Sequence, residues 1–221
     1  MDATLDQRDL LLAAWKTNNR VTVFLVEHLP QGLWAATIPG APRRTVRMIA
    51  GHIHNARCTW IKTLGKEHGI AVPHAVNRHK VERKELISAL GQSSRGIANL
   101  LTLGFDKGGT IPVSSSYTWR NLPLDVGHVL TYLVAHEGHH RGQIVMLARQ
   151  LGYRLPIEIT GGLALVEARQ GVSKLDFVDT EHPLKCTPLK FNGVCAPLKA
   201  SGTEGLYRKL SWIYACSGYP T

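Results

Sequence analysis

The chain has 221 residues, 44% of them hydrophobic, with 26 Lys/Arg against 16 Asp/Glu for a formal charge of +10. That length can bury one good core and a small appendage. No apolar run approaches the roughly 18 residues needed to span a bilayer. Four cysteines, Cys58, Cys186, Cys195 and Cys216, form no C-x-x-C pair and no regular framework. With the acidic opening MDATLDQRD, which lacks a signal-peptide pattern, they point to a cytoplasmic protein with reduced thiols. Residues 1–160 hold 19 Lys/Arg against 11 Asp/Glu, and residues 161–221 hold 7 against 5. The excess is spread out, with one local cluster at Arg43, Arg44 and Arg47 and no continuous basic run. Specific nucleic-acid binding is therefore not expected, and a basic rim that attracts an anionic substrate is the better use of the charge.

Four long amphipathic patterns follow in chain order. The first runs from about Leu5 to His28, with Leu10, Ala14, Val21 and Leu25 on one face, and LPQG ends it. The second runs from about Arg43, after Pro42 as a helix-start residue, to Lys66, with Val46, Ile49, Ala50, Ile53, Trp60 and Leu64 as its stripe. The third covers about Val81 to Leu103, with Gly104 as a stop. The fourth begins near Pro123, carries Asp125 in its first turn and ends at Gly152. Helices of this length with little strand signal predict an all-α four-helix bundle over residues 1–162. The longest connection, Phe105 to Leu122, has β-prone pieces suited to a strand stub or a flap over one end. Residues 163–221 are punctuated by Pro and Gly without sustained periodicity, and read as an irregular C-terminal extension.

The chemistry is concentrated in AHEGHHRGQI, residues 135–144. His136, Glu137 and His140 spell H-E-x-x-H, the zinc-protease signature. At about 100° per residue, Val129, Leu133, Ile144, Leu147 and Leu151 fall between roughly +20° and roughly +80° from His136. On the same scale His140 lies at about +40° and Glu137 at about +100°. Gln143 lies at about −20° and His139 at about −60°. His136 and His140 thus point inward and His139 lies at the flank. Burying two imidazoles unpaired costs several kcal/mol, so a metal is the natural partner. A third ligand is needed. The metzincin pattern would place Gly and His where Gln143 and Met146 stand, and Glu158 and Glu167 lie in irregular sequence. A zincin protease is accordingly the weakest alternative. Upstream, IAGHIHNARCTW offers His52 and His54, and the helical wheel leans to His52 without deciding.

Two segments, RTVRMIAGHIHNARCTWIK and LVAHEGHHRGQIVMLARQLG, resemble the DinB/YfiT-like metalloenzyme family, over about residues 1–162. The resemblance implies an up-down-down-up bundle and a divalent ion, zinc or nickel, held by His52, His136 and His140. H-E-x-x-H would then be a coincidence of spacing. The family's usual end segment is replaced here by ALVEARQGV. Relatives use low-molecular-weight thiols, so the resemblance implies a thiol S-transferase-like enzyme with a metal-bound thiolate as nucleophile. Metal-water hydrolysis and a non-enzymatic metal-binding or sensing bundle are the alternatives. Glu137 is the candidate catalytic residue, as base or as orienter of a ligand His, against a solvated or salt-bridged surface role. Expected partners are a small-molecule substrate, with a low-molecular-weight thiol and a homodimer as candidates. No phosphate-binding loop, dinucleotide fingerprint or nucleophile elbow is present.

Overall fold

The computed structural model describes residues 6–118 and 122–160. The extension from 163, with Glu167 and the tail cysteines, lies outside the described residues. Helix α1, Gln7–His28, begins at Asp6, whose side chain accepts a hydrogen bond from the Arg8 backbone N–H. It ends at Leu29, held extended by the following Pro30. One turn, α2 (Gln31–Trp34), leads into a two-stranded antiparallel ribbon of β1 (Thr37–Ile38) and β2 (Ala41–Thr45). The second long helix therefore does not start at Pro42, which sits in β2. Extended Thr45 is the better cap, its hydroxyl accepting from Met48 N–H, and α3 spans Val46–Trp60. A π turn (Ile61–Gly65) and a 3-10 turn (Lys66–His68) prolong it just past the expected end at Lys66.

Helix α4, Arg83–Asp106, opens with a reciprocal capping box between Glu82 and Glu85. It runs through Gly104, which does not act as a stop. A Cβ there would lie 2.5 Å from Val126 Cγ2 and 2.9 Å from Ile111 Cγ1, so glycine serves close packing against α5. The helix stops at Lys107, followed by Gly108 and Gly109 at positive φ. In the long connection the expected strand stub is a single bridge, Thr110 with Asp125, and the buried Ile111 side chain fills the end of the bundle. Helix α5, Val126–Gln150, takes Asp125 as its N-cap and not as a first-turn residue. A last turn, α6, spans Ile157–Thr160.

Cross-helix pairs give the topology. Arg8 meets Asp106 and Arg83 reaches the Glu27 carbonyl, so α1 and α4 are antiparallel. The Trp60 ring lies 5.1 Å from that of Tyr132 while His52 lies by His140, so α3 and α5 are antiparallel. His54 meets Ser93 and Ile61 meets Gly96, so α3 and α4 run parallel. The bundle is up-down-down-up. Its core is two apolar clusters, one around Leu25, Trp34, Ala50, Leu90 and Ala148, the other around Trp15, Ile61, Ile97, Leu101 and Val129. Between them, at mid-height, lies a polar layer of Asn18, Thr22, Arg57 and Glu137, all buried. None of the described helices is long and apolar enough to cross a membrane.

Candidate metal centre

At the level of the polar layer, on the outer side of the α3–α5 contact, three imidazoles converge. One ring nitrogen from each of His52, His136 and His140 lies within 4.8 Å of the others. The Nε2 atoms of His136 and His140 are 3.2 Å apart. Two nitrogens bound tetrahedrally to one zinc at about 2.0–2.1 Å would stand about 3.3 Å apart, so the donor set fits such an ion. The His52 ring centroid is 4.7 Å from that of His140 and 5.4 Å from that of His136. All three side chains are half-buried, not interior. They sit one layer outside the core, open to solvent on one side, which a site for a small molecule requires.

The interior position expected for His136 and His140 belongs to Glu137. Its carboxylate is 1% exposed and accepts from Arg57 Nε at 2.7 Å, Arg57 Nη2 at 2.8 Å, Asn18 Nδ2 at 2.8 Å and Thr22 Oγ1 at 3.0 Å. Arg57 also donates to Asn19 Oδ1 and to the Leu90 carbonyl, so one guanidinium ties α3 to the other three long helices. Arg141 donates to Asn18 Oδ1 and Thr22 Oγ1 from the next turn of α5. Glu137 is thus neither a surface residue nor poised as a base. Its oxygens are committed to the polar layer, and it is not among the clustered donors.

His54, the rival of His52, is fully buried on the α4 side. Its Nδ1 pairs with Ser93 Oγ at 3.0 Å and its Nε2 with the His74 carbonyl at 2.9 Å. It holds the segment after α3 in place and takes no part in the cluster. Cys58, next to it, has its thiol pushed up to about 11 by burial, so it stays protonated at neutral pH.

A second tier of side chains supports the cluster. His140 Nδ1 lies 2.9 Å from Gln143 Oε1, which can only accept, so Nδ1 carries the proton and Nε2 presents its lone pair. Gln143 Nε2 in turn donates to His139 Nε2 at 2.9 Å. His139 is therefore tied to the site through Gln143 while remaining outside it. Tyr132 stacks on His136 with centroids 6.0 Å apart, and forms an aromatic wall with Trp60. Tyr132 precedes His136 by one helical turn, and that spacing was the available signal for it. Alanine at His139 is expected to leave metal content unchanged. Alanine at Gln143 is expected to weaken metal affinity by about 10–100-fold by freeing the His140 ring. Metal competition titrations check both. Equal damage from the two variants would contradict this order of tiers.

The cluster's protonation follows from its surroundings. Burial, and next the neighbouring His140, push His52 and His136 down to about 4. Burial also lowers His140, against the opposing effect of its bond to Gln143. Lowered values favour the neutral imidazole, the form that binds metal. The His52 and His136 contributions to metal affinity are therefore expected to hold nearly level from about pH 7.5 to 5.5, where imidazoles titrating near 6.5 would lose about tenfold each. For the metal-free protein the sign follows from proton binding. Above about pH 6.5 the histidines are neutral folded or unfolded. Between there and about 4 the unfolded chain binds more protons, so stability falls as pH falls through that window. Urea midpoints at pH 7.5 and 5 measure it, and a midpoint higher at pH 5 would contradict it.

Compared with the curated proteins, the chain matches none. A model of the DinB family matches residues 1–164, which span all four long helices and all three clustered histidines. The chain therefore belongs to the DinB family.

Proposed function

We propose that this protein is a divalent-metal-dependent enzyme of the thiol S-transferase type, with His52, His136 and His140 as the metal ligands and zinc or nickel as the ion. The observation that carries the reading is the pairing of a three-imidazole cluster open to solvent with a Glu137 carboxylate locked onto Arg57. Bound there, a divalent ion supplies a Lewis acid that holds a thiol in its thiolate form at neutral pH. Such a nucleophile needs no carboxylate base. Hydrolysis generally does benefit from one, and among the described residues no Asp or Glu joins the cluster.

The chain's own residues have separable tasks. The three imidazoles offer neutral donors, Gln143 fixes the His140 tautomer, and the Tyr132–Trp60 wall shields one side of the cluster. In the reaction the thiol sulfur bonds to an electrophilic carbon, whose leaving group departs with the bonding electrons. The thiol proton passes to solvent.

The test is metal analysis of the purified protein, followed by turnover of monochlorobimane with cysteine as the thiol. The expected result is about one ion per chain and saturable, metal-dependent turnover that His140→Ala removes. Full metal content with a rate no better than the free ion would leave a binding or sensing bundle. Ester cleavage in the absence of thiol would move the assignment to a hydrolase. Peptide cleavage lost in Glu137→Gln, in protein that stays folded, would restore the protease.

A further inference from the structure

The segment that follows α3 turns back across that helix and is fastened at several points. Asn55 clamps it, its Oδ1 accepting from Val76 N–H at 2.9 Å and its Nδ2 donating to the Val76 carbonyl at 3.0 Å. His54 holds the His74 carbonyl, and Arg47 Nη1 donates to the His79 carbonyl at 3.2 Å. Between these anchors lies Arg78. Its Cα and Cγ are 3.6 and 3.3 Å from where a Cβ on Gly51 would stand, so Arg78 packs directly against α3 at that position. The Arg78 stem thus rests on α3 one residue from His52, with its surface exposed. Arg44, exposed near the end of β2, adds a second positive charge to the surroundings of His52. Arg78 and Arg44 both oppose a further positive charge on His52.

An ion on three neutral imidazoles adds two further positive charges to this corner. Such concentrated positive charge draws in an anion from solution and raises its local concentration. A guanidinium adds geometry to charge, since its planar fork can donate two parallel hydrogen bonds to a carboxylate or phosphate. We infer that Arg78, assisted by Arg44, is the oxyanion-recognising element of this site, and that its substrate carries a carboxylate or phosphate group. This inference rests on the metal-dependent reading above and names its substrate class.

The experiment uses the full chain loaded with cobalt(II), whose visible absorption reports ligands entering its surroundings, together with calorimetry. The probes are succinate, methyl phosphate and the neutral succinamide. Succinate or methyl phosphate is expected to bind at least about tenfold more tightly than succinamide. Arg78→Gln is expected to weaken that anion by about tenfold, and Arg44→Gln by a smaller factor, with cobalt content and succinamide affinity unchanged. The tighter of the two anions identifies the oxyanion. Equal affinity for succinamide and both anions, or anion binding unaltered in both arginine variants, would overturn the inference. Cobalt uptake is measured first, so that failure of the metal reading registers separately. In a chain that takes up no cobalt, the same calorimetric titration decides, with loss of anion binding in Arg78→Gln supporting the inference and no loss overturning it.

Discussion

Alanine at His52 is expected to weaken divalent-metal binding by orders of magnitude, although His52 and His136 stand on different helices, far apart in the chain. Removing one of three imidazoles leaves two donors, and two compete poorly with water and buffer for the ion. The same change removes the metal's contribution to stability. An ion bound only by the folded state adds RT ln(1 + [L]/Kd), about 4 kcal/mol at a thousandfold excess over Kd. The wild-type protein should therefore gain melting temperature on metal addition and His52→Ala should gain almost none. His54→Ala is the informative control. It is expected to keep the metal yet lose about 1–3 kcal/mol, because Ser93 Oγ and the His74 carbonyl lose a buried partner. Inductively coupled plasma analysis and metal-dependent melting separate the two effects. Loss of metal in His54→Ala with retention in His52→Ala would reverse the ligand assignment and leave the bundle standing.

The other large effect is expected at the centre of the bundle. Glu137→Ala should destabilise the protein by about 3–5 kcal/mol, since it leaves the Arg57 guanidinium buried and uncompensated. Arg57→Ala should do the same from the other side, and also strand Asn19 and the Leu90 carbonyl. The paired replacement Arg57→Met with Glu137→Leu should recover part of the loss, because apolar residues of similar volume remove both charges together, while Arg141, 3.6 Å from Glu137, keeps its own charge. Urea unfolding of the two single variants and the pair gives the coupling directly. Additive losses in the pair would mean that the ion pair is not the principal interaction. Glu137→Gln keeps the shape and is expected to retain the metal ion in the folded fraction. The clustered donors on His136 and His140 do not include Glu137, so their positions are expected to depend on α5 staying folded more than on a charge at 137.

The four helices were legible in the chain because each carries an apolar stripe and punctuation at its ends, and periodicity of that kind survives without knowledge of neighbours. The pairing of His136 with His140 was legible for the same reason, one helical turn being a local distance. The boundaries at Pro42 and Gly104 were not. Pro42 entered a strand because Thr45 offered a better cap, and Gly104 stayed helical because Val126 and Ile111 press against it from elsewhere in the fold. The inward arc of α5 is wider than Val129, Leu133, Ile144 and Leu147 mark. Leu130 and Ala148 are buried and lie at about +120° from His136, which widens the inward arc until it contains Glu137. Arg57 likewise falls within about 40° of Val46, Ala50 and Ile53, all buried, so its phase already marked it as interior.

What the wheel could not supply was the partner. A charged residue on an apolar arc is tolerable only if something opposite neutralises it, and Arg57 and Glu137 are 80 residues apart in the chain. The choice between His52 and His54 is of the same kind. Both sit on one helix among similar neighbours, and the wheel only leaned to His52, which the family resemblance then favoured. The tertiary structure separates them by the rotation of α3 between two different helices. It turns His52 towards α5 and its two imidazoles, and His54 towards α4, where Ser93 and the returning segment saturate it. Local sequence thus determined the helices, their apolar faces and a histidine pair one turn apart, because those depend on interactions between near neighbours in the chain. Which buried charge met which, and which histidine completed the cluster, depended on helix rotation and on packing between segments distant in the chain. Only the folded bundle decided them.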